Sequence, residues 1–415
     1  MRNLSAFLFV AALGGSAAAN GFVVNEHDAM ATGRGTAVAA TNDTPSSIVY
    51  NPGGVAVGEG TAILIGGSVI SATGKYTPEG STTTTETDSP ASVLPQLYLT
   101  SRVHDMVAVG IGLHTPFGSA ISWPTDAPTS DVITEQKLRT YFISPVIGIN
   151  LDKQVPGLSI GGGLDLVPAT VELKRNVFFG DTQGTVHLGG EAFGIGGRAG
   201  VMYRPPAVKQ LSVGVMWRSA VKLDFEGTGD FDIDEPFRGQ LPPDGPISTS
   251  IELPQSVLGG VAVRPVENLE LEMNVVWMQW STFQELKINL PTRDPNMPAE
   301  TVAVQRYEDR VSFRFGAQYT LPEQGLKLRA GFVFDPTPIP DDTVTAQLPD
   351  ADRRNIALGA GYTIQKNYDI NLGLLWVTPN ERRTSDKMYE PVHKGEYGIT
   401  AFVAALSFVG RFGVN

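Results

Sequence analysis

Long segments of the chain alternate strictly between apolar and polar residues, and this pattern limits the folds open to it. Between positions 269 and 277 every odd position is apolar, while Glu270, Glu272 and Asn274 lie between them. The same rule holds in the segments that begin at Leu211, Arg310, Leu326 and Ile370. Successive side chains of a β-strand point to opposite faces, so each segment predicts a strand with one apolar and one polar face.

The length of these segments separates two all-β architectures. A soluble β-sandwich also alternates, but its strands have a modal length of ~5–6 residues. Strands that cross a membrane at a tilt need ~9–11 residues, and most segments here reach that length. Aromatic residues near strand ends match the interface girdles of membrane barrels, at Trp217, Trp277, Tyr319, Tyr362 and Trp376. The sequence therefore predicts an all-β fold, a transmembrane antiparallel β-barrel without an edge in lipid.

We expect about fourteen strands, an even number as in single-chain bacterial barrels. The barrel domain is predicted to run from residue 56 to residue 415, with turn-rich segments between the strands. The predicted strands lie near residues 60–72, 91–102, 106–115, 136–151, 157–173, 186–203, 208–225, 248–264, 268–283, 307–320, 326–335, 354–364, 369–378 and 398–412.

The first nineteen residues have the features of a secretion signal. Arg2 gives a positive start, residues 4–13 form a short apolar run, and Ala17 to Ala19 supply small residues for cleavage. The run is too short for a transmembrane helix, which needs roughly 20 residues. We therefore expect residues 1–19 to be removed, the mature chain to begin at Asn20, and the barrel to lie in a bacterial outer membrane.

Composition argues against several other classes of protein. A formal net charge of −12 excludes a general nucleic-acid binder, which needs a basic surface. The absence of cysteine excludes disulfides and thiolate sites. The histidines are dispersed without metal-binding spacing, and neither a catalytic serine elbow nor a phosphate-binding lysine loop is present. We expect no enzyme activity, no cofactor and no metal.

Residues 20–55 do not alternate. They contain small residues, Gly33, Gly35 and a polar cluster at 41–44. Short helices are predicted around 27–40 and 45–50, with Asn51-Pro52 ending the second. Two interpretations stay open on these residues alone, a flexible periplasmic tail or a plug folded inside the barrel.

Basic residues on the polar faces of the strands are candidates for ligand contacts. A guanidinium or ammonium group inside the barrel can hold a carboxylate head group. The alternative is that these residues pair with acidic neighbours and fill a polar lumen, and for any single residue this alternative is favoured. The candidate ligand contacts are Arg218, Arg314, Lys327 and Arg329.

Proline interrupts the third predicted strand. The alternating segment 107–113 leads into His114-Thr115-Pro116-Phe117-Gly118. Proline has no N–H for the ladder and lies at bulges, edges or ends of sheets. Either the strand ends here, or it kinks and opens the barrel wall sideways.

A series of short motifs resembles the FadL/TodX family of outer-membrane transporters. The resemblance covers nearly the whole mature chain, and the order of the motifs is more specific than any one of them. The motifs are Gly21 to His27, Gly33-Arg34-Gly35, Asn51-Pro52, Pro116-Phe117-Gly118, Trp280-Ser281-Thr282-Phe283, Arg329-Ala330-Gly331, Asp335 to Pro340 and Pro349 to Arg353.

The resemblance implies a fourteen-stranded barrel with an amino-terminal helical hatch, here residues 20–55, that plugs the lumen. It implies passive uptake of long-chain fatty acids or other hydrophobic small molecules. These would bind beside the hatch and leave through a lateral gap at the kinked third strand. The residues concerned are Gly21 and Phe22 at the ligand, Asn25, Glu26, Asn51, Pro52 and Gly53 in the hatch, and Pro116, Phe117 and Gly118 at the gap.

The chain departs from the family pattern at two places. Gly53 replaces the alanine of the family's Asn-Pro-Ala motif, and three residues follow Phe412, where family members end on an aromatic residue that the barrel assembly machinery reads. The expected partners are the hydrophobic ligand, outer-membrane lipid and that machinery, for a protein expected to be a monomer. A general porin with a water-filled lumen is the alternative function, and a structural or adhesive barrel is a third. An ordered hatch argues against the porin.

Overall fold

The computed structural model describes residues 21–293, 298–379, 381–386 and 393–413, so the predicted signal at 1–19 lies outside the described residues. Most of the described chain is β-structure. In chain order the strands are β1 (Thr61–Pro78), β2 (Thr85–Glu86), β3 (Ser92–His104), β4 (Val107–His114), β5 (Gly118–Ser122), β6 (Glu135–Thr140), β7 (Phe142–Asn150), β8 (Leu158–Phe179), β9 (Thr182–Tyr203), β10 (Leu211–Arg218), β11 (Val221–Asp232), β12 (Gly245–Leu253), β13 (Ser256–Val266), β14 (Leu269–Met278), β15 (Glu285–Asn289), β16 (Glu300–Val304), β17 (Arg310–Leu321), β18 (Leu326–Asp335), β19 (Arg353–Ile364), β20 (Tyr368–Pro379), β21 (Arg382–Arg383) and β22 (Gly395–Phe412).

Fourteen of the described strands close into one antiparallel barrel. Each pairs with the next in the order β1, β3, β4, β7, β8, β9, β10, β13, β14, β17, β18, β19, β20 and β22. The last strand returns to the first, in a register from Thr61↔Phe412 to Pro78↔Gly395. The predicted fold class and strand number are confirmed.

The two faces of the wall divide as the alternation predicts. On β14, Glu272 and Asn274 are buried, while Met273 between them is 41% exposed. The outward apolar side chains suit contact with lipid, and the inward polar ones find partners in the lumen. Four of the predicted girdle aromatics are also exposed, namely Trp217, Tyr319, Tyr362 and Trp376.

The wall extends beyond the barrel at the end opposite to the Thr61↔Phe412 pair. β8 and β9 have 22 residues each, about twice the ~9–11 that cross a membrane. Their outer parts pair with β6 and β11, and β12, β15 and β16 prolong this sheet. Lys222, Asp224 and Glu226 on β11 are exposed, so this extension stands in water above the apolar band. We call the lumen on this side the upper lumen and the lumen on the side of the Thr61↔Phe412 pair the lower lumen.

Residues 21–56, the amino-terminal segment, pack against inward-facing side chains of the strands. The segment contains α1 (Ala29–Thr32), α2 (Ser47–Tyr50) and a 3-10 helix (Pro52–Ala56). The second helix ends before Asn51 as predicted. The prediction of a helix over 27–40 was wrong in length, because Gly35 and Thr36 have positive φ angles through which no α-helix continues. Nearly all of the segment is buried, unlike a flexible tail.

The remaining helices are single 3-10 turns at Phe237–Gln240, Trp280–Thr282 and Pro322–Gln324. No helix in the described ranges is both long and apolar enough to cross a membrane.

Candidate functional site

Two adjoining cavities lie in the upper lumen. The empty space of the inner cavity is about 680 Å³ and that of the outer cavity about 650 Å³, and both figures include space open to solvent. Their linings share Leu173, Leu286 and Gln347. The described residues around the inner cavity carry no formal charge: Phe22, Ser119, Gln136, Leu138, Val171, Leu173, Thr249, Ile251, Phe283, Leu286, Gln305, Tyr307, Ile339, Thr343, Thr345, Gln347 and Leu348.

The lining of the inner cavity is formed by inward-facing strand residues and by the loop that follows β14. On β8, Val171 and Leu173 face the lumen because they stand two positions apart. The 3-10 turn after β14 carries the chain across the lumen, and Phe283 follows it. Burial raises the pKa of the Tyr307 phenol well above its usual value, so this side chain stays neutral.

Phe22 forms the floor of the inner cavity. Its ring packs against three aromatic rings, with centroid distances of 4.8 Å to Trp280, 5.8 Å to Phe283 and 6.1 Å to Phe117. The backbone N–H of Gly21 donates to Oδ2 of Asp350 at 3.1 Å, which fixes the chain just before this floor. Of the two ligand-site residues that the family resemblance implies, Phe22 lines the cavity, and Gly21 lies next to it and packs against Trp280.

The third barrel strand kinks, and it does not end at the proline. β4 stops at His114, residues 115–117 leave the ladder, and the strand resumes as β5. Two backbone hydrogen bonds tie the kink to the amino-terminal segment, from Val24 N–H to the Pro116 carbonyl (2.9 Å) and from Gly118 N–H to the Phe22 carbonyl (2.9 Å), and together they form the antiparallel bridge Val23↔Phe117. The predicted gap residues are thus in direct contact with the floor of the cavity.

The kink leaves a gap in the backbone pairing of the wall. β3 pairs with β4 as far as Leu97↔Leu113. Beyond that point residues 92–96 pair with β1, and β5 pairs with β6. The two edges meet again where the N–H of Asp88 donates to the carbonyl of Ser122 at 3.0 Å. Among the described residues no ladder joins the wall between these two points.

None of the four basic candidates lines either cavity. Three of them are engaged elsewhere in the lumen, as the space-filling alternative expects. Their partners are Asn25 for Arg314 (2.9 Å), Gln318 for Arg329 (2.8 Å) and Asp369 for Lys327 (3.5 Å). A direct ligand contact for these three stays a prediction, without support from the position of the cavities.

Arg218 differs from the other three because it lies at the kink. Its guanidinium carbon is 4.6 Å from the centroid of the Phe117 ring. The residue is 7% exposed, and its Nε is buried without a hydrogen-bond partner. The carboxylate of Asp165 lies 2.7 Å from Arg198 and is engaged there. A buried guanidinium with an unused donor is suited to receive an anionic group.

The lower lumen holds the amino-terminal segment by charge and hydrogen bonds. Arg34 lies 2.7 Å from Glu270 and 3.5 Å from Glu272, and these side chains are nearly or completely buried. The N–H groups of residues 38 and 39 donate to Oδ1 of Asn274 at 3.0 and 3.2 Å. Polar side chains on β14 therefore hold the segment in one register.

The residues predicted to shape the hatch contact the barrel strands, and their role in a hatch stays a prediction. Asn51 donates from Nδ2 to the carbonyl of Val201 at 2.9 Å, and Pro52 begins the 3-10 helix. At Gly53 a Cβ would lie 2.9 Å from the backbone nitrogen of Met202. The departure from the family's Asn-Pro-Ala motif thus coincides with a close approach to β9 that suits glycine. The carbonyl of Glu26 accepts hydrogen bonds from Ser68 and Gln96.

Sequence reasoning did not assign Trp280, Phe283, Tyr307 or Asp350 to the site. A signal existed for the first two, because the apolar/polar alternation of β14 ends after Asn274 and the aromatic residues Trp280 and Phe283 follow the end of the strand. Asp350 lies in the motif at 349–353, but its contact with Gly21 joins residues 329 positions apart. Among the described residues, no group of three or more histidine or acidic side chains is placed to bind a metal.

A membrane barrel with an uncharged cavity and an interrupted wall defines the class of this protein. The chain matches the family model described as outer membrane protein transport protein (OMPP1/FadL/TodX) over residues 10–412, and it belongs to this family. It is therefore a bacterial outer-membrane protein of a transport family, and the recognition from sequence motifs is confirmed.

Known relatives are distant in sequence and close in fold. The long-chain fatty acid transport protein of Escherichia coli (strain K12) is 23% identical over 220 residues, 51% of this chain and 47% of that protein. The chain thus spans about half the length of the first curated relatives it matches. A FadL homologue of Pseudomonas aeruginosa superposes with a TM-score of 0.83 at 16% identity, over 94% of this chain and all of that chain. The Pseudomonas putida toluene transporter TodX superposes with a TM-score of 0.75 at 17% identity, over 94% of this chain and 100% of that chain.

Proposed function

We propose that this protein takes up hydrophobic small molecules across the outer membrane by passive diffusion, with long-chain fatty acids as the cargo. The observation that carries the proposal is the uncharged inner cavity beside the gap in the wall. The apolar side chains of this lining favour an alkyl chain over water. The E. coli relative is named for long-chain fatty acids and TodX for toluene, which supports hydrophobic cargo in general.

The proposed route starts at the outer cavity, which lies beyond the inner one and includes Lys174 and Arg175 in its lining. The ligand passes Leu173 and Leu286 into the inner cavity. Displacement of Phe22 then exposes the kink, and the ligand leaves sideways between β3 and β5 into the membrane. Phe22 is suited to move aside because the segment around it is joined to the kink by only two backbone hydrogen bonds, which can break reversibly.

Arg218 is the proposed contact for an anionic head group on this route. It lies against Phe117, one ring beyond the floor of the cavity. A carboxylate that passes Phe22 would reach a buried cation in a site of low polarity, where a charge-assisted hydrogen bond is strong.

The alternative of a general porin is less well supported. A porin needs a continuous aqueous channel, whereas the amino-terminal segment here is buried among inward-facing side chains of β9, β14 and β18. We propose that this segment is the hatch that closes the lumen to water. The barrel closes on itself, which supports a monomer as the functional unit.

The test uses cells without their own fatty-acid transporter, producing the wild-type protein or the Arg218→Met variant. Uptake of labelled oleate and of an uncharged hydrocarbon of similar length is measured. We expect the wild type to take up both, and Arg218→Met to lower oleate uptake by roughly tenfold or more, since hydrogen bonds to charged groups contribute ~1.5–3 kcal/mol.

Lys327→Met is the matched control, because Lys327 pairs with Asp369 and lines neither cavity. Hydrocarbon uptake should be the same in all three proteins. No uptake of either compound by the wild type would contradict the proposed function. An equal loss of both compounds in Arg218→Met would contradict the head-group role alone.

A further inference from the structure

Four buried side chains at the two edges of the gap each have a polar atom that makes no hydrogen bond among the described residues. On β3 these atoms are Oγ of Ser92 and Oε1 of Gln96, and at the kink they are Nδ1 of His114 and Oγ1 of Thr115. All four residues are at most 6% exposed. A buried polar atom without a partner destabilises the folded state, so a group of them at one place calls for a functional reason. We call these four residues the polar strip.

The amide of Gln96 presents a hydrogen-bond acceptor. Its Nε2 donates to the carbonyl of Glu26 at 2.7 Å and to Oγ of Ser68 at 2.8 Å. Ser68 lies on β1, and β1 flanks β3 on the side opposite to the gap. Because the oxygen and the nitrogen of a planar amide point to opposite sides, Oε1 of Gln96 is directed away from β1, where it is available as an acceptor.

His114 presents a donor at the position that faces Gln96. These two residues would form the next pair of the ladder after Leu97↔Leu113. Nε2 of His114 lies 3.1 Å from Nη2 of Arg198. A guanidinium nitrogen only donates, so Nε2 accepts this hydrogen bond and the proton of the neutral ring is on Nδ1. The gap therefore has a donor on one edge and an acceptor on the other.

We propose that the polar strip selects the head group that crosses the wall, and that it favours a long-chain amphiphile with a neutral O–H group, such as a fatty alcohol or an undissociated fatty acid. A hydroxyl group donates to Oε1 of Gln96 and accepts from Nδ1 of His114. A hydrocarbon leaves both atoms unpaired, and a carboxylate has no proton for the first. This inference rests on the proposed function, since it concerns the exit from the same lumen.

A neutral head group also suits the environment outside the gap. Val93 and Leu97 on the outer face of β3 are 43% and 45% exposed, as expected for side chains that face lipid. Transfer of an ionised carboxylate into an apolar medium costs far more than transfer of a hydroxyl group. Hydrogen bonds within the wall replace some of those that the hydroxyl group loses when it leaves water.

The test measures uptake of labelled oleyl alcohol and octadecene by cells producing the wild type, Gln96→Met, or the double variant Ser92→Ala with Thr115→Val. Gln96→Met removes the acceptor and keeps a side chain of similar length. The double variant removes two hydroxyl groups that have no partner in the described part of the chain, so folding should not be impaired. We expect each variant to lower alcohol uptake by about fivefold to tenfold, because hydrogen bonds to the head group are lost. Hydrocarbon uptake should not change.

The double variant Ser212→Ala with Ser312→Ala is the matched control, because both serines are buried on the inward faces of β10 and β17. It should take up both compounds as the wild type does, and heat-dependent gel mobility checks the folding of every variant. Unchanged alcohol uptake in the folded strip variants, or an equal loss of alcohol and hydrocarbon, overturns the polar strip and leaves the proposed function intact. Absence of uptake of both compounds and of oleate by the wild type overturns both.

Discussion

The upper and lower halves of the lumen are built by the same barrel, yet their inner surfaces have opposite chemistry. In the lower half the inward positions of β14 are Glu270, Glu272 and Asn274, and each contacts the amino-terminal segment. In the upper half the inward positions of β8 are Val171 and Leu173, which face empty space. Alternation fixes which side chains point inward, but residue type decides whether the lumen holds a segment or leaves room for a ligand.

The two halves also differ in what a substitution costs. A buried charge network is specific because removal of one partner leaves another charge unpaired. An apolar cavity tolerates occupants that differ in shape, because dispersion and burial are not directional. We therefore expect lower-lumen changes to act on closure and stability, and upper-lumen changes to act on ligand affinity.

The largest effect should follow deletion of residues 21–55. Without the segment the lower lumen has no occupant for its polar side chains, and water fills it. We expect a barrel that inserts into the membrane and conducts small ions with a conductance well above that of the wild type. Single-channel recording in planar bilayers measures this difference. An unchanged conductance and uptake profile would show that the segment is not the plug.

A smaller loss of stability is expected for Arg34→Met, which leaves the buried Glu272 without its cation, whereas Glu270 keeps Arg264 at 2.6 Å. Breaking a buried pair in this way costs roughly 3–5 kcal/mol. Urea unfolding in detergent, followed by tryptophan fluorescence, measures the change. Lys75→Gln is the control, because the exposed pair of Lys75 and Glu86 contributes only ~0–1 kcal/mol. An equal loss of unfolding free energy in Arg34→Met and Lys75→Gln would contradict the claim that the buried charges of the lower lumen stabilise the protein more than exposed ion pairs do.

In the upper half, Leu173→Ala should weaken ligand binding without opening the barrel. The substitution removes three carbons from the boundary of the two cavities and costs about 2 kcal/mol of binding free energy, or roughly thirtyfold in Kd. Binding of a fluorescent fatty acid to the purified protein measures the affinity, and single-channel recording checks closure. A rise in conductance with no change in Kd would contradict this division, because it would show that the upper lumen controls closure of the barrel and not ligand affinity.

The smallest effect concerns pH. Burial raises the pKa of Tyr307, so its phenol stays neutral as the pH rises through the usual tyrosine value near ~10. We expect the affinity for an uncharged hydrocarbon to be constant between pH 7 and about 10. Isothermal titration at several pH values measures this. An alkaline loss of affinity that Tyr307→Phe abolishes would contradict a neutral cavity.

Sequence periodicity was sufficient to predict the barrel, because a strand with one face toward lipid must place an apolar residue at nearly every second position. The predicted strand at 326–335 coincides with β18. The predictions of single strands over 208–225 and 248–264 were wrong, because the chain leaves the ladder at Ser219 and at Pro254. Alternation continues across both breaks, so the period alone does not reveal them.

The ligand site was less accessible to prediction. Basic residues on inward faces were visible, but whether each meets a partner depends on contacts between distant residues. Arg314 contacts Asn25 across 289 positions, and Lys327 lies near the opposite end of the barrel from the cavities. Only the motif resemblance connected Phe22 with Phe117, because their contact is formed by a kink and not by a regular strand.

The central claim is that hydrophobic cargo leaves the upper lumen sideways at the kinked third strand. The most direct measurement is uptake of labelled oleate by cells producing the double variant Pro116→Ala with Gly118→Val, with folding verified by the heat-dependent gel mobility of the barrel. A straightened strand would close the gap between β3 and β5, so the account predicts strongly reduced oleate uptake with the inner cavity still binding fatty acid in vitro. Wild-type uptake by the folded double variant would contradict the lateral route.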